Sequence, residues 1–338
     1  MKTTIVKSIA LLFIVGMAAS SLATEYGGYA GAFLRMGLGA RPRALGEAYT
    51  ALAQGTYAGF YNPAGLPWLT SKELNICFSL LPLDRKFNYI GVAIPLKPKV
   101  SEIPPQTETV TEQGHPEVAN AGLHLGWINC GVDNIDGRDS NGNPIGTFSN
   151  SENAFFFSFA LSPHRLLSLG VNFKILYNRF PSMTMEDKAA SAKGFGFDLG
   201  MLVSPLPGLT TGIVIKDLNS KYSWNTKRVW DWEKAFTKYD RFPRTIRWGL
   251  AYRIPGNWLL ASFDWEDNDK QDGQYHLGVE FLSPQGLYLR AGLDAGEPTF
   301  GLGLELKVLG TATAIDYGYI SNEFAPAGEH VFSWALRF

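Results

Sequence analysis

From Leu74 to the C-terminus the chain repeats one device: a run of about ten residues in which one parity is apolar and the other small or polar, closed by turn residues. Leu169, Val171, Phe173, Ile175 and Tyr177 share one parity against Gly170, Asn172, Lys174 and Asn178. Phe300, Leu302, Leu304, Leu306 and Val308 repeat the pattern against Gly301, Gly303, Glu305 and Lys307. A helical period fits neither set, because side chains alternate faces only in a strand. Fourteen such runs start near Leu74, Tyr89, Ala121, Ala154, Leu169, Gly194, Leu209, Thr245, Trp258, Tyr275, Leu287, Phe300, Thr311 and His330. A soluble sandwich also alternates, but its solvated face would not collect glycines beside single unlike charges. An even strand count returns both ends of a bacterial outer-membrane barrel to the same side. The pattern therefore predicts an all-β fold, a 14-stranded antiparallel transmembrane β-barrel.

The two ends of the chain agree with this address. Lys2 and Lys7, the apolar run Ile9 to Ala19 and the small residues Ser21-Leu22-Ala23 have the layout of a secretory signal peptide over residues 1–23. After it, no stretch approaches the roughly eighteen apolar residues of a spanning helix, so any crossing is made with strands. The last strand places Phe332, Trp334, Leu336 and Phe338 on one face and ends on an aromatic. This resembles the terminal assembly signal of outer-membrane barrels, which implies outer-membrane lipid and the barrel assembly machinery as partners and the cell outer membrane of a Gram-negative-type bacterium as the location.

Connection lengths give the orientation, since such barrels have short periplasmic turns and longer outer loops. Ser162 to Leu166, Ser204 to Gly208, Pro255-Gly256-Asn257, Ser283 to Gly286 and Leu309-Gly310 form the short set. Gly131 to Glu152, Arg179 to Lys193, Asn219 to Arg244 and Glu266 to Gly273 form the long polar set. Leu96 to Asn120, with four prolines (Pro98, Pro104, Pro105, Pro116), is expected on the periplasmic side and breaks the rule.

Residues 24–70 do not alternate. Gly31 to Trp68 carries glycines at 31, 37, 39, 46, 55, 59 and 65, and Arg43 to Ala53 has helix-favouring composition after Pro42. A short helix between Gly-rich loops is the local expectation. Fourteen strands enclose a lumen that water or a plug must fill, and the inner parity carries charges of both signs that need partners. Residues 24–70 are the natural plug, and 71–338 the barrel. Arg35, Arg41, Arg43, Glu47 and Asn62 are its candidate contacts with inward Asp198, Glu280 and Glu305, and Arg41 or Arg43 is expected within salt-bridge distance of one of those carboxylates.

The blocks Ala32-Phe33-Leu34-Arg35, Gly39-Ala40-Arg41, Leu45 to Ala53 and Asn62-Pro63-Ala64-Gly65-Leu66 resemble the N-terminal segment of the PorV/PorQ family of outer-membrane proteins, relatives of the FadL fatty-acid channels. The resemblance implies a non-enzymatic component of type IX protein secretion, shuttling secreted protein cargo. The alternative it implies is a FadL-like channel passing hydrophobic small molecules through the barrel wall past an N-terminal hatch. A continuous apolar pocket beside the plug favours the channel, and a closed lumen under a broad loop surface favours cargo.

Other chemistry finds little footing. Five histidines are scattered without ligand spacing, and no G-x-S-x-G, H-E-x-x-H or phosphate-loop sequence occurs, so neither an enzyme nor a cofactor or metal is expected. A net charge of -1 with scattered charges gives no footprint for nucleic acid. Asp133, Asp136 and Asp139, and Glu266, Asp267, Asp269 and Asp272, could hold calcium through carboxylate oxygens, but neither follows the order of a calcium loop and solvated acidic loops are the default reading. Cys77 and Cys130 fall on strands separated by another, roughly 9–10 Å apart, beyond disulfide reach. Asn219 to Arg244 interleaves aromatics with charges, and Trp224, Trp230, Trp232 and Phe236 are candidate outer contacts for a ligand or cargo, against the alternative of an interfacial girdle.

Overall fold

A computed structural model describes residues 29–96, 120–180, 190–225, 237–308, 311–322 and 328–338. The signal-peptide segment, most of the proline-bearing connection after Leu96, and Trp230, Trp232 and Phe236 lie outside the described residues. The strands are β1 (Glu73–Leu80), β2 (Arg85–Leu96), β3 (Ala121–Arg138), β4 (Pro144–His164), β5 (Leu167–Phe180), β6 (Ala190–Leu206) and β7 (Leu209–Asn225). They continue as β8 (Thr237–Arg241), β9 (Thr245–Arg253), β10 (Leu259–Asn268), β11 (Gln271–Leu282), β12 (Leu287–Asp294), β13 (Glu297–Val308), β14 (Thr311–Ile320) and β15 (Glu329–Arg337).

Each strand pairs antiparallel with its neighbours, and β1 pairs with β15, so the sheet closes on itself. The result is a closed 14-stranded barrel in which β7 pairs with β6 and β9. β8 pairs with the far end of β7, from Lys221↔Arg241 to Asn225↔Thr237, on the same edge that β9 takes from Leu209 to Lys216, so β8 and β9 are two parts of one barrel strand interrupted at residues 242–244. Each predicted run lies in one barrel strand. The alternation sorts side chains as the sequence implies: Leu169, Ile175, Phe300 and Leu302 are exposed on the outer wall, while Asn172, Lys174 and Asp198 are buried inside. Closure removes the free edges of the ring from β1 to β15, and an apolar outer wall on a closed barrel is the form in which strands cross lipid.

Three expected loops contain strand. β3 and β4 run to Arg138 and Pro144 and pair almost to the hairpin tip, and β10 and β11 leave only residues 269–270 between them. Asn219 to Arg244 contains the end of β7 and the whole of β8. Beyond the lipid both faces of a strand are wet, so the apolar parity disappears while the backbone ladder continues. Pattern reading alone then sees a polar loop.

The acidic stretches also resolve. Asp133 pairs with Lys86 at 2.9 Å and Asp136 with Arg138 at 2.8 Å. Asp139 accepts bonds from the backbone of Asn141 and Asn143 within its own turn, which lowers its acid below the usual range, the Asn143 side chain contributing most. Glu266 is a buried lumen residue on β10, not a loop residue. Cys77 and Cys130 are free thiols on β1 and β3, with β2 between them.

Candidate functional site

Residues 29–69 lie inside the barrel, touching strands around its whole circumference. The segment is a chain of single turns: 3-10 turns at Ala32–Arg35, Gly55–Tyr57 and Pro63–Trp68, and short α-helices at Ala40–Ala44 and Ala58–Tyr61. The helix expected over Arg43 to Ala53 is thus one turn placed earlier, ending at Ala44. Gly46 and Glu47 stop it, both taking left-handed φ values, 60° and 62°. The turn brings bare backbone against the wall: a Cβ on Gly46 would lie 2.4 Å from the Leu293 carbonyl oxygen, and one on Gly292 only 2.3 Å from the Gly46 nitrogen. Asn62 caps the last turn, its Oδ1 accepting from the Ala64 N–H at 3.1 Å.

Against β9–β15 the segment is held by charges. Arg41 donates two bonds of 2.8 Å to Glu280, which also accepts from Arg290 Nε at 2.7 Å, and Arg290 reaches Asp316 at 2.7 Å. Arg43 donates to Glu329 at 2.6 Å and lies 3.3 Å from Glu47. Glu47 in turn meets Arg247 at 3.3 Å, and Arg247 also binds Glu266. Burial, then the nearby Asp294 carboxylate, raise the Glu47 acid above its ordinary range, with Arg43 and Arg247 opposing them. Backbone groups add to the seam: Tyr49 and Thr50 donate N–H bonds to Asp264 at 3.1 and 2.8 Å, and Ala40 donates to Ser333 at 2.8 Å.

Against β1–β7 the contacts are mostly neutral. Phe60 packs on Phe156 with ring centroids 6.2 Å apart and on Tyr61 at 5.0 Å, with the Lys216 ammonium 4.3 Å above the Phe60 ring. Tyr89 donates to the Thr56 carbonyl at 2.9 Å, and Asn62 Nδ2 to those of Thr50 and Met201, each at 3.2 Å. Ala64 rides on Gly170, where a Cβ would come within 2.4 Å of its nitrogen. Behind these contacts a buried polar chain crosses the strands. His124 sits 3.0 Å from Tyr89 Oη and 3.1 Å from Ser158 Oγ, Ser158 donates to Asn172 at 2.9 Å, and Asn172 to Asp198 at 2.7 Å.

The structure therefore brings some of the expected contacts together and separates others. Arg41 and Glu280 meet, as do Arg43 and Glu47. Asp198 meets Lys174 at 2.7 Å instead of an arginine of the segment, and Glu305 meets Arg337 at 2.9 Å and Tyr288 at 2.7 Å. Arg35 donates to the Ala30 carbonyl at 3.3 Å. Trp224 lies near the outer end of β7, packed edge-on to Tyr222 at 6.1 Å. On β15, Phe332 stacks with Phe78 at 5.1 Å, Trp334 and Phe338 are exposed, and Leu336 shares their face.

Glu73 and Glu329 were missed. Glu73 accepts from the Thr56 N–H at 3.0 Å and pairs with Arg337, and Glu329 holds Arg43. Both have the inward parity, but the first and last runs read from the sequence begin one residue later than β1 and β15. Extending each run by one step would have found them.

Two openings flank the seated segment. An apolar recess of about 460 Å³ lies in the outer wall of β2–β5, lined by Leu125, Trp127, Phe155 and Phe157, by the inward Gly91 and Gly126, and by the inward Phe156. A second cavity, about 570 Å³, lies at the long-loop mouth, where Tyr29 to Ala32 meet β4, β5, β7 and β8.

No family model matches the sequence, and no curated protein matches it. Solved structures do match in fold. The crystal structure of the Pseudomonas putida toluene transporter TodX aligns with 89% of this chain and 99% of its own, at 12% identity and a TM-score of 0.57. A deltaS2S3 mutant of TodX, described as a monoaromatic hydrocarbon channel, covers 89% and 97% at 12% identity and a TM-score of 0.51. A Pseudomonas aeruginosa FadL homologue covers 84% and 94% at 10% identity, with a TM-score of 0.48. What this chain shares with the TodX structures is the fold, a closed 14-stranded antiparallel β-barrel.

Proposed function

We propose that this protein is an outer-membrane channel for hydrophobic small molecules, with residues 29–69 as a hatch inside the barrel. The observation that carries the reading is the wall recess. Its lining is apolar, Tyr89 and His124 pack directly behind its glycines Gly91 and Gly126, and Phe156 links it to the Phe60 ring of the hatch. A molecule held there by burial of its apolar surface would lie one side chain from the hatch. The fold likeness to TodX supports a small aromatic hydrocarbon as the first probe. Chemistry within the barrel plays no part in this reading.

The test is uptake of labelled toluene into vesicles containing the purified protein. Leu125→Trp, on an exposed outer position, fills the recess and lowers uptake severalfold while folding is kept. Uptake equal to that of protein-free vesicles, or unaffected by the filled recess, overturns the channel reading.

One observation favours the second reading, a PorV-like shuttle for secreted protein cargo in type IX secretion. β3 and β4, at 18 and 21 residues, project a polar hairpin beyond the lipid and offer a broad surface at the long-loop end. Cargo co-purification lost on trimming residues 135–148, with toluene uptake at background, would place the protein in that class.

A further inference from the structure

The outer face of the wall carries a row of cations that the channel reading leaves unused. Near the long-loop end, Arg179 on β5, Lys193 on β6, Lys221 on β7 and Arg241 on β8 share the outward face of their strands. Tyr177 pairs with Lys193, Phe195 with Lys221 and Lys221 with Arg241, so the four are direct or diagonal neighbours on adjoining strands. They stand nearly equally far from the short-turn ends of their strands, at Leu167, Leu206, Leu209 and, across the break between β8 and β9, Arg253. Strands of such barrels tilt by about 35–45°, and a row that steps along the strands in this way lies level with the membrane plane. Over three strand spacings it spans roughly 15–20 Å.

These charges are free to meet a ligand. Arg179, Lys193 and Arg241 are exposed, and the half-buried Lys221 holds its ammonium 5.2 Å from the centre of the Tyr239 ring. Among the described residues none of the four has a carboxylate partner, and the acid of β8, Asp240, faces inward with Lys238 at 3.2 Å. On the β2–β4 side of the same rim the cations are matched, Lys86 by Asp133 and Arg138 by Asp136. The whole chain has a formal net charge of -1, so the row is a local excess. Directly below it the wall is aromatic and apolar, with Phe195 and Phe197 exposed.

Unpaired cations above a lipid-facing wall stand among the headgroups of that leaflet, where an anion at the same level gains most from them. Phosphate suits this set, because arginine takes it through two parallel N–H donors and lysine as a point charge. A free anion would use the charges but not the wall beneath them. A simple acidic phospholipid brings one phosphate to a row of four cations. A sugar headgroup with more than one phosphate, carried on acyl chains, uses both the row and the wall.

We infer that the outer face of β5–β8 is a docking site for one phosphorylated glycolipid of the outer leaflet, its phosphates on Arg179, Lys193, Lys221 and Arg241 and its acyl chains on the wall below. The inference rests on the outer-membrane placement in the proposed function and not on conduction, and it is read by binding to the purified barrel.

The experiment is native mass spectrometry of the purified full-length protein in detergent, titrated with lipid A bearing two phosphates, with the same lipid A after phosphatase treatment, or with phosphatidylglycerol. One diphosphorylated lipid A should be retained per barrel, with half-saturation at about tenfold lower concentration than for the other two lipids. Lys193→Gln combined with Lys221→Gln should weaken it about 25-fold, about fivefold for each cation. Arg179→Gln alone, on an exposed residue near the strand end, should weaken it about fivefold and keeps the inference testable if the double variant does not fold. Lys86→Gln, whose cation is already paired, should leave binding unchanged. Equal half-saturation for diphosphorylated lipid A and phosphatidylglycerol overturns the inference, since any anionic lipid then suffices. So does binding unchanged in the double variant, or in Arg179→Gln where that is the only folded one. Displacement of the lipid by inorganic phosphate at the lipid's own concentration also overturns it, in favour of a free-anion site. Toluene uptake at background with lipid A binding intact counts against the channel alone, and lipid A binding absent with uptake intact counts against this site alone.

Discussion

The segment inside the barrel, residues 29–69, which is the hatch of the proposed channel, is held differently by the two halves of the barrel. Against β9–β15, residues 40–50 are fixed by Arg41–Glu280, Arg43–Glu329 and Glu47–Arg247, with backbone donors on Asp264, Thr299 and Ser333. Against β1–β7, residues 55–69 rest mainly on aromatic rings, neutral hydrogen bonds and glycine contacts, with the Glu73 carboxylate holding Thr56 and the Lys216 ammonium over Phe60 as charged contacts. Buried ion pairs add little net stability over an apolar replacement, but breaking one partner is costly, so they specify position more than they add adhesion. Apolar packing adds adhesion and tolerates small displacement. The β9–β15 side therefore registers the hatch, and the β1–β7 side supplies contact that a sliding or tilting segment could keep.

The largest effect expected is from Gly292→Val. Its Cβ would enter the Gly46 backbone at 2.3 Å, where nothing flexible can give way, so residues 40–50 lose their seat. Limited proteolysis of the folded barrel should then cut within the hatch, and a hatch as protected as in wild type would break the comparison. Gly170→Val is the matching insertion on the other half, against Ala64 at 2.4 Å, and should expose residues 55–69 first.

Removing one charge comes next. Glu280→Ala leaves the buried Arg290 with Asp316 alone and the part-buried Arg41 without its carboxylate, a loss of about 3 kcal/mol. The urea midpoint of hatch protection should fall accordingly, and Arg41→Met combined with Glu280→Leu should recover part of it. A single substitution without effect would mean that these ions do not register the hatch.

Phe60→Ala is the apolar counterpart, with a cost of the order of 3 kcal/mol for a buried ring. Its effect should be insensitive to salt composition and should not shift the hatch, which a cysteine reporter at Thr50 can follow. Displacement of residues 40–50 in this variant would erase the distinction between the halves.

The smallest effect on stability is expected for Phe338→Ala. Phe338 is 63% exposed, on the outside of the barrel, and touches neither half of the seat. Its loss should lower the amount of folded barrel in the membrane, read by heat-modifiable gel mobility, while hatch protection in the folded fraction stays at the wild-type level. Unchanged yield would reject its role in assembly.

Much of the wall was legible because a strand in lipid must repeat with period two, and every departure would place a polar group in hydrocarbon. The runs at Leu169 and Phe300 declare their outward face without reference to any other part of the chain. The strand ends were less legible. Glu73 and Glu329 were passed over where the lipid constraint lapses, and β8 has no apolar parity at all, with a burial pattern that is almost uniformly exposed. The hatch was recognisable as a segment that does not alternate, but its turns were not, because Gly46 and Glu47 take left-handed conformations to meet a wall 200 to 253 residues away in sequence.

The sequence by itself determined the architecture: strand number, which side chains face lipid, and a lumen carrying charges that need partners. Only the tertiary structure decided which charges meet. Arg41 and Glu280 are 239 residues apart, and Asp198, equally inward and equally acidic, is taken by Lys174 on the neighbouring strand. Periodicity fixes the face of a strand because it is a local property of the backbone. Partner choice depends on the path of the hatch through the lumen, and that path is set by close backbone contacts at Gly292 and Gly170 that no local pattern encodes.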